Sequence, residues 1–554
     1  MSLQPPDRTN VTSPYEKPDR RWRARSRANY STRRAGPRYW SDFPVEIVVG
    51  SGKSKKTYSG TARDISDGGL LIENPDLPAD TKHVRLRFEV PDGILPEEYH
   101  HGPVDTAAEI RWHDAAKSQW GMKFAEPLSR RLARSTWAVL RWLGILLLSA
   151  AIAITLVLKY MNYQYFWFDA PLFLYSILVG GYLISRFVFA AFYRNPPRRT
   201  DAPPVTLLIP VFNEEEQIER TIRQAMNLEY PVDKLQVIVI DDGSTDGTRQ
   251  AIQRAWALYP EFQVIRFEKS RGKRHALAAA VGESVGDYLV FIDSDSFLEP
   301  DAIGRLLDHF ADPEVAAVTG HCDVENVWAN ALTKMQAVRY YVAFRVMKAA
   351  ESIFDSITCL SGPLACYRRE RLLDVIDAWE NQTFLGQPAT YGDDRSLTNM
   401  LLRRGHKVRY AEKALCTTVV PEDHRTFLRQ QMRWKRSWFR ESLVACAFMW
   451  KKQPFMALSF YLGFLLPLVA PVIVVRSLVL VPLLQSVWPL NYVAGVFVMS
   501  AMVSSVYLLA KRSRLWIYGV VFCFYYMFIL VWQLPIAVLT FAHTSWGTRT
   551  KAEV

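Results

Sequence analysis

The hydrophobic pattern changes period along the chain. Between about 43 and 126, short stretches alternate apolar with polar residues and are punctuated by turn residues: PVEIVV, KTYSGTAR, GLLIEN, HVRLRFEV, TAAEIRW and WGMKF. That alternation predicts a small all-β barrel. From 203 to about 410 the apolar runs TLLIP, QVIVI and YLVFI are short and continuous, with helical patterns between them. Continuous apolar strands alternating with helices predict an α/β domain with a largely parallel sheet. A third pattern is long and uncharged. It covers Trp142 to Leu158, Ala170 to Tyr193 with Arg186 as its one charge, Phe455 to Val475, Val493 to Ala510 and Leu515 to Ala542. Because roughly 20 residues of helix cross the hydrocarbon, these stretches predict transmembrane helices.

Charge orients them. Residues 1 to 40 hold ten Lys/Arg against three Asp/Glu. Arg194, Arg198 and Arg199 follow the second apolar stretch, Lys451 and Lys452 precede the third, and Lys511, Arg512 and Arg514 follow the fourth. The positive-inside rule places all of these in the cytoplasm. A multi-pass membrane protein is expected, with its β-barrel and α/β domain cytosolic. The net charge of +12 then reads as topology and contact with anionic lipid, and no nucleic-acid polymer is expected as a partner. The first apolar run begins after residue 136, so no secretory leader is expected. Cys322, Cys359, Cys366, Cys416, Cys446 and Cys523 show no ligand spacing, which predicts reduced thiols and no structural metal.

In open parallel sheets, ligands bind beyond the C-terminal ends of the strands. Two acidic groups follow strands here: Asp241-Asp242-Gly243 after VIVI, and Asp293-Ser294-Asp295 after YLVFI. Two carboxylates at alternate positions after a buried strand need a cation, and a hard divalent ion carrying phosphate oxygens supplies one. Asp293 and Asp295 are therefore candidate ligands of a hard divalent ion. A third acidic group, Gly392-Asp393-Asp394-Arg395, opens an apolar-patterned helix, where acids complement the helix dipole.

PVFNEEE, DDGSTDGT, SRGKRHAL, DSDS, CLSGPLACYRRE, NQTFLGQPATYGDDRSLTN, QQMRW and WGTR occur in that order across residues 205 to 549. This set resembles the processive family-two glycosyltransferases, closest to hyaluronan synthases and rhizobial chitin-oligosaccharide synthases and more distantly bacterial cellulose synthase. The resemblance implies a GT-A domain that binds a UDP-sugar, with UDP-GlcNAc or UDP-glucose favoured. It assigns Pro210, Asn213, Glu214 and Asp242 to the nucleotide, and Asp293 and Asp295 to UDP and metal. Lys273 and Arg274 would face the diphosphate, and Ser361 and Gly362 would border the acceptor. Asp394 would be the base that takes the acceptor proton, oriented by Asp393 and Arg395. Gln430, Arg433 and Trp434 match the Gln-x-x-Arg-Trp pattern: Arg433 would neutralise the departing diphosphate and Trp434 would stack on the acceptor sugar. Arg549 closes the terminal motif at the site entrance. Family members form the export channel for the growing polysaccharide from their own spans, and periplasmic export partners are possible.

Arg34-Ala-Gly-Pro-Arg38 and Asp64-Ile-Ser66-Asp-Gly-Gly69 fit the paired signature of PilZ domains, which bind cyclic di-GMP. Two arginines can grip guanine edges and phosphates bidentately while the Asp/Ser/Gly turn closes on a base.

The expected organisation is a basic disordered tail (1–33), a PilZ-like barrel (34–126), a linker with two spans (127–192), the transferase (193–440), interfacial and transmembrane helices (441–543) and the WGTR tail (544–554). Residues 441 to 454 are expected to form a short interfacial helix. Pro535 is expected to break 515–542 into a re-entrant or two-piece element that keeps the tail cytosolic. The expected activity is cyclic di-GMP-activated polymer synthesis and export. The alternatives are addition of one or a few sugars to a lipid, and a non-catalytic cyclic di-GMP receptor that scaffolds a secretion complex.

Overall fold

The computed structural model describes residues 38–50, 55–66, 68–73, 75, 77–78, 81–90, 103–114, 118–128 and 170–542, the last without 390, 487 and 512, and a few helical positions between 146 and 157. The tail 1–33, Arg34, Arg549 and nearly all of the apolar stretch 142–158 lie outside these residues.

The N-terminal unit is a closed six-stranded antiparallel barrel in the order β1-β2-β3-β6-β5-β4: β1 (Arg38–Val49), β2 (Lys56–Ser66), β3 (Gly69–Glu73), β4 (His83–Glu89), β5 (Pro103–Asp114) and β6 (Gln119–Phe124). Strict alternation builds it. Val84, Leu86 and Phe88 of β4 point inward while His83, Arg85, Arg87 and Glu89 face water. Closure of β4 onto β1 leaves no free sheet edge.

The second unit holds the α/β domain. Its eight-stranded sheet has the order β11-β16-β12-β13-β10-β7-β8-β9. The strands are β7 (Val205–Val211), β8 (Leu235–Asp241), β9 (Gln263–Arg266), β10 (Tyr288–Phe291), β11 (Ser296–Leu298), β12 (Val315–Val324), β13 (Ala365–Arg368) and β16 (Lys407–Thr418). A separate two-stranded ribbon joins β14 (Thr383–Phe384) to β15 (Gln387–Pro388). Only β11 and β13 run against the common direction. Every residue of β7 is buried, as a continuous apolar run in a sheet covered on both faces requires. The covering helices are α2 (Ile218–Ala225), α3 (Thr248–Leu258), α4 (Lys273–Glu283), α5 (Ala302–Leu307), α6 (Ala331–Val342), α7 (Ala349–Ser352), α8 (Arg369–Glu380) and α9 (Asp393–Arg403), and α1 (Ala170–Phe192) precedes them all.

Helix α10 (His424–Met449) runs 26 residues without interruption, so the expected separate helix at 441–454 does not form. The reason is a buried polar network. Arg440 Nε donates to Glu441 Oε1 at 3.1 Å, and Asn399 Nδ2 donates to the Glu441 backbone oxygen at 2.9 Å and to Oε2 at 3.1 Å. The acid of that stretch, Glu441, is inside the protein.

Among the described residues three helices are long and apolar enough to cross a membrane: α1, α11 (Pro454–Gln485) and α12 (Leu490–Lys511, apolar over Tyr492–Lys511). A fourth candidate is a pair, α13 (Trp516–Phe528) and α14 (Leu530–Leu539), bent by 44°. The break lies at Ile529 and not at the expected Pro535. Proline is tolerated near the start of a helix because its missing N–H has no partner to lose there. Lys435 of α10 secures the bend from outside, its Nζ donating to the Leu530 backbone oxygen at 2.7 Å and to Gln533 Oε1 at 3.0 Å.

Candidate active site

The C-terminal ends of β7, β8 and β10 deliver the acidic and polar residues to one edge of the sheet. Beyond β7, Asn213 adopts a left-handed conformation with φ of 53°, one that asparagine tolerates better than most residues. Its side-chain oxygen accepts from Thr245 N at 2.8 Å and its own N–H donates to Ser244 Oγ at 3.1 Å. Glu214 N donates to Thr248 Oγ1 at 2.8 Å, so the loops after β7 and β8 form one rim. Pro210 is not on that rim. It is buried within β7 beside Ile240, because the strand continues one residue past it.

Asp242, just after β8, turns its carboxylate onto the neighbouring loop. It is 3% exposed, and its two oxygens accept from Ser270 Oγ (2.7 Å), Arg271 N (2.8 Å) and Gly272 N (2.9 Å). Its carboxylate pins the loop that starts α4, and so sets the position of Lys273.

Lys273 Nζ donates to Asp293 Oδ1. Burial opposes the charge of the lysine, but Asp293 and Asp394 outweigh that and hold its ammonium above the ordinary lysine range. Gly362 is the hinge of the arrangement: a Cβ there would stand 2.9 Å from Asp293 Oδ2 and 3.2 Å from Asp394 Oδ2, so no other residue fits without displacing a carboxylate. Its N–H donates to Asp394 Oδ2 at 3.0 Å. Asp394 is in the first turn of α9, and burial pushes its carboxyl up to about 6, against the lowering pull of Lys273. A narrow cavity lined by Lys273, Gly362, Tyr367, Trp379, Asp393 and Asp394 opens between them.

Arg274 does not face that cavity as a diphosphate ligand. It is buried, with Nε and Nη2 donating to Asp393 Oδ1 at 2.9 and 2.8 Å and Nη1 donating to the Trp379 backbone oxygen at 2.9 Å and Gln382 Oε1 at 3.1 Å. Asp393, expected to orient Asp394, is the other half of this pair, at 8% side-chain exposure. Asp293 and Asp295 remain partly exposed, and Thr418 Oγ1 donates to Asp295 Oδ1 at 3.3 Å. Ser361 N donates to Thr319 Oγ1 at 3.2 Å and holds the chain ahead of Gly362.

Gln430, Arg433 and Trp434 lie on α10. Gln431 Nε2 donates to Gln430 Oε1 at 3.4 Å, and the Arg339 guanidinium stands 5.6 Å from the centre of the Trp434 ring. Sequence reasoning missed Arg339, which lies in none of the quoted motifs and packs against Trp434.

In the barrel, strand register gathers the other candidate residues. Arg38 lies opposite Ser66 and Trp40 opposite Asp64 across β1 and β2, and Ser66 pairs with Gly69 at the β2–β3 turn. Ser66 Oγ donates to the Gly69 backbone oxygen at 3.1 Å. A Cβ on Gly69 would come within 2.2 Å of the Met122 backbone oxygen, so strand β6 demands glycine there.

Residues 203–437 match the glycosyltransferase like family 2, and residues 32–138 match the PilZ domain. An N-acetylglucosaminyltransferase of Rhizobium meliloti (strain 1021) is 36% identical over 298 residues, covering 52% of this chain and 69% of the relative. A hyaluronan synthase of Streptococcus pyogenes is 30% identical over 407 residues, covering 72% of this chain and 95% of the relative. Among solved structures, a mannosyltransferase, PcManGT from Pyrobaculum calidifontis in complex with GDP-Man and Mn2+, covers 67% of this chain and 98% of its own at 20% identity and a TM-score of 0.43. The match to the synthase runs through nearly the whole of that relative, and the apolar helices make the chain membrane-bound. The protein is an enzyme of glycosyl transfer from a nucleotide-sugar donor, and it belongs to glycosyltransferase family 2, with a PilZ domain ahead of the transferase.

Proposed function

We propose that this enzyme is a processive inverting β-glycosyltransferase that polymerises sugar from a UDP-sugar, exports the polysaccharide across the bacterial inner membrane, and is activated by cyclic di-GMP. The observation that carries the reading is the convergence of Asp293, Lys273 and Asp394 on Gly362. One carboxylate there suits the donor side and another, with a raised pKa, suits proton abstraction near neutral pH.

Asp293 and Asp295 fit a hard divalent ion. They are oxygen donors, partly exposed, and Asp293 already carries a cation in Lys273. Among the described residues no group of three His, Cys, Asp or Glu could hold a metal alone. Mg2+ accepts such sites, because it is commonly bound by one or two carboxylates plus substrate phosphates and water. A bound Mg2+ or Mn2+ would supply neutralisation of the donor diphosphate. Lys273 adds a positive charge beside it, and Asp394 takes the proton from the acceptor hydroxyl as that oxygen attacks the anomeric carbon. Arg433 on α10 is suited to meet the departing diphosphate and Trp434 to stack on the acceptor sugar. UDP-GlcNAc and UDP-glucose are the favoured donors.

Asp293→Ala combined with Asp295→Ala is expected to remove metal-dependent UDP binding. Calorimetry with and without Mn2+ reads this directly, and UDP affinity that still rises with Mn2+ in the double variant refutes the ligand assignment.

Arg34→Ala and Arg38→Ala are each expected to remove at least one charge-assisted contact to the activator, costing roughly 1.5–3 kcal/mol, over tenfold in affinity. Basal synthesis should persist. Polymer formation against cyclic di-GMP concentration, at saturating donor, tests it: an unchanged activation curve in the double variant removes the activator from the proposal. Incubation of the purified protein with cyclic di-GMP, Mn2+ and single labelled UDP-sugars tests the transfer reaction itself.

A further inference from the structure

The loop from Thr358 to Gly362 carries the chain to the point where Asp293 and Asp394 converge, and a different side chain holds each of its residues. Glu351 Oε2 of α7 accepts from Thr358 N at 2.8 Å. Lys348, at the end of the π-helical turn Ala343–Lys348, donates from Nζ to the Cys359 backbone oxygen. Thr398 Oγ1 of α9 accepts from Leu360 N at 2.9 Å, Thr319 Oγ1 of β12 accepts from Ser361 N at 3.2 Å, and Asp394 Oδ2 accepts from Gly362 N at 3.0 Å. Loops usually run over the surface, where water meets their backbone groups. This one is buried at Ile357, Leu360 and Leu364, and side chains take the place of water.

Thr398 differs from the other holders in what it joins. It lies one turn after Asp394 on α9 and is fully buried. Its hydroxyl donates to the Asp394 backbone oxygen at 2.5 Å while it accepts from Leu360 N. A bond to the carbonyl four residues back is an ordinary habit of threonine in helices. The bond from an N–H of another segment is not, and the two together use the proton and a lone pair of one oxygen. Thr319 supplies the contrast. Its hydroxyl accepts from Ser361 N and donates to the Leu364 backbone oxygen at 3.0 Å, so it fastens the loop to itself. Thr398 fastens the loop to the helix that carries the proposed base. There is no slack at the end of that loop, because even a Cβ on Gly362 would crowd both carboxylates.

We propose that Thr398 is a positioning residue for glycosyl transfer: its hydroxyl locks the loop 358–362 to the first turn of α9 and so fixes Asp394 relative to the edge formed by Ser361 and Gly362. This inference rests on Asp394 being the base proposed above. Removing the hydroxyl leaves the buried Leu360 N–H without its acceptor, a costly state that the loop relieves by moving. Gly362 N then shifts against Asp394 Oδ2. The loops after β7 and β8, which form the nucleotide side, keep their own contacts.

The test uses the full chain in lipid nanodiscs, with UDP release and polymer formation followed together. Thr398→Val keeps the shape of the side chain and removes the hydroxyl. It should lower kcat by about tenfold or more, since a misplacement of about 1 Å can cost on the order of 10²-fold. KM for the donor and UDP affinity should stay within about twofold of wild type, because the donor contacts are unchanged. Thr398→Ser keeps the hydroxyl and should hold kcat within about threefold of wild type. A role in packing alone predicts the opposite order, because serine deletes a buried methyl group and valine does not. Wild-type kcat in Thr398→Val, a serine variant as slow as the valine one, or a donor KM that changes in step with kcat overturns the inference. Should Thr398→Val fail to assemble, Thr398→Ala is measured against Thr398→Ser: a lower kcat in the alanine variant supports the inference and an equal one overturns it. Asp394→Asn is the control that separates the two readings. Wild-type turnover in it overturns the base assignment and this inference with it, whereas an inactive Asp394→Asn beside an indifferent Thr398→Val overturns the inference alone.

Discussion

Asp394→Asn is expected to abolish polymer formation while leaving UDP binding within about threefold, because a base acts on the acceptor proton and contributes little to nucleotide affinity. Loss of a positioned base costs typically about 10²–10⁴ in rate. The substitution keeps the size of the side chain and an oxygen for the Gly362 N–H, so the cavity should survive it. A pH profile gives a second check with a definite sign. The carboxyl is pushed up to about 6 by burial, and the ionised form is the active one. Wild-type rate should therefore fall as pH drops below about 6, approaching tenfold per pH unit. Turnover at the wild-type level in Asp394→Asn sinks the assignment, as does a wild-type profile flat down to pH 4.5.

Arg274→Met is expected to destabilise the transferase by about 3–5 kcal/mol, the range for removing one partner of a buried ion pair. It would strand Asp393 at 8% side-chain exposure and release the Trp379 oxygen and Gln382 as well. Thermal unfolding of the detergent-purified protein reads the loss. Asp393→Asn added to Arg274→Met should recover part of it, since the stranded charge is then gone. A pair that merely decorated the site would show additive effects, and an unchanged thermal midpoint in Arg274→Met would refute the role.

What could be read in advance followed from local pattern. The runs TLLIP, QVIVI and YLVFI announce buried strands, and an acid directly after such a strand must lie at the binding edge of the sheet. Asp293 was legible at that edge for this reason and the barrel strands from their alternation, whereas the Gly-Asp-Asp turn, which opens a helix, was singled out by the resemblance. Long-range pairing was not. Arg274 and Asp393 are 119 residues apart, and nothing in SRGKRHAL states that this arginine turns inward while Lys273 beside it reaches Asp293. The stretch 441–454 read as interfacial because it is short and mixed in polarity, yet Glu441 is 1% exposed and paired with Arg440 and Asn399. Pro535 drew the break to itself, although a proline early in a helix breaks nothing.

The attachment of Lys435 to the bend at Leu530 and Gln533 bears on how this enzyme can be rearranged by recombination. Further bonds reinforce it: Gln533 Nε2 donates to the Leu428 oxygen at 3.0 Å, Arg436 Nε to Thr540 Oγ1 at 3.0 Å, and Tyr391 Oη to the Phe541 oxygen at 3.2 Å. Backbone left irregular at membrane depth is tolerated only where protein covers it. Residues 391–449 and 516–542 therefore form one heritable cassette although seventy or so residues separate them in the chain. A hybrid that joins the transferase of one relative to the C-terminal helices of another inherits mismatched halves of this seam, and a transferase excised at residue 437 leaves Lys435 and Arg436 facing solvent where they once held the bend.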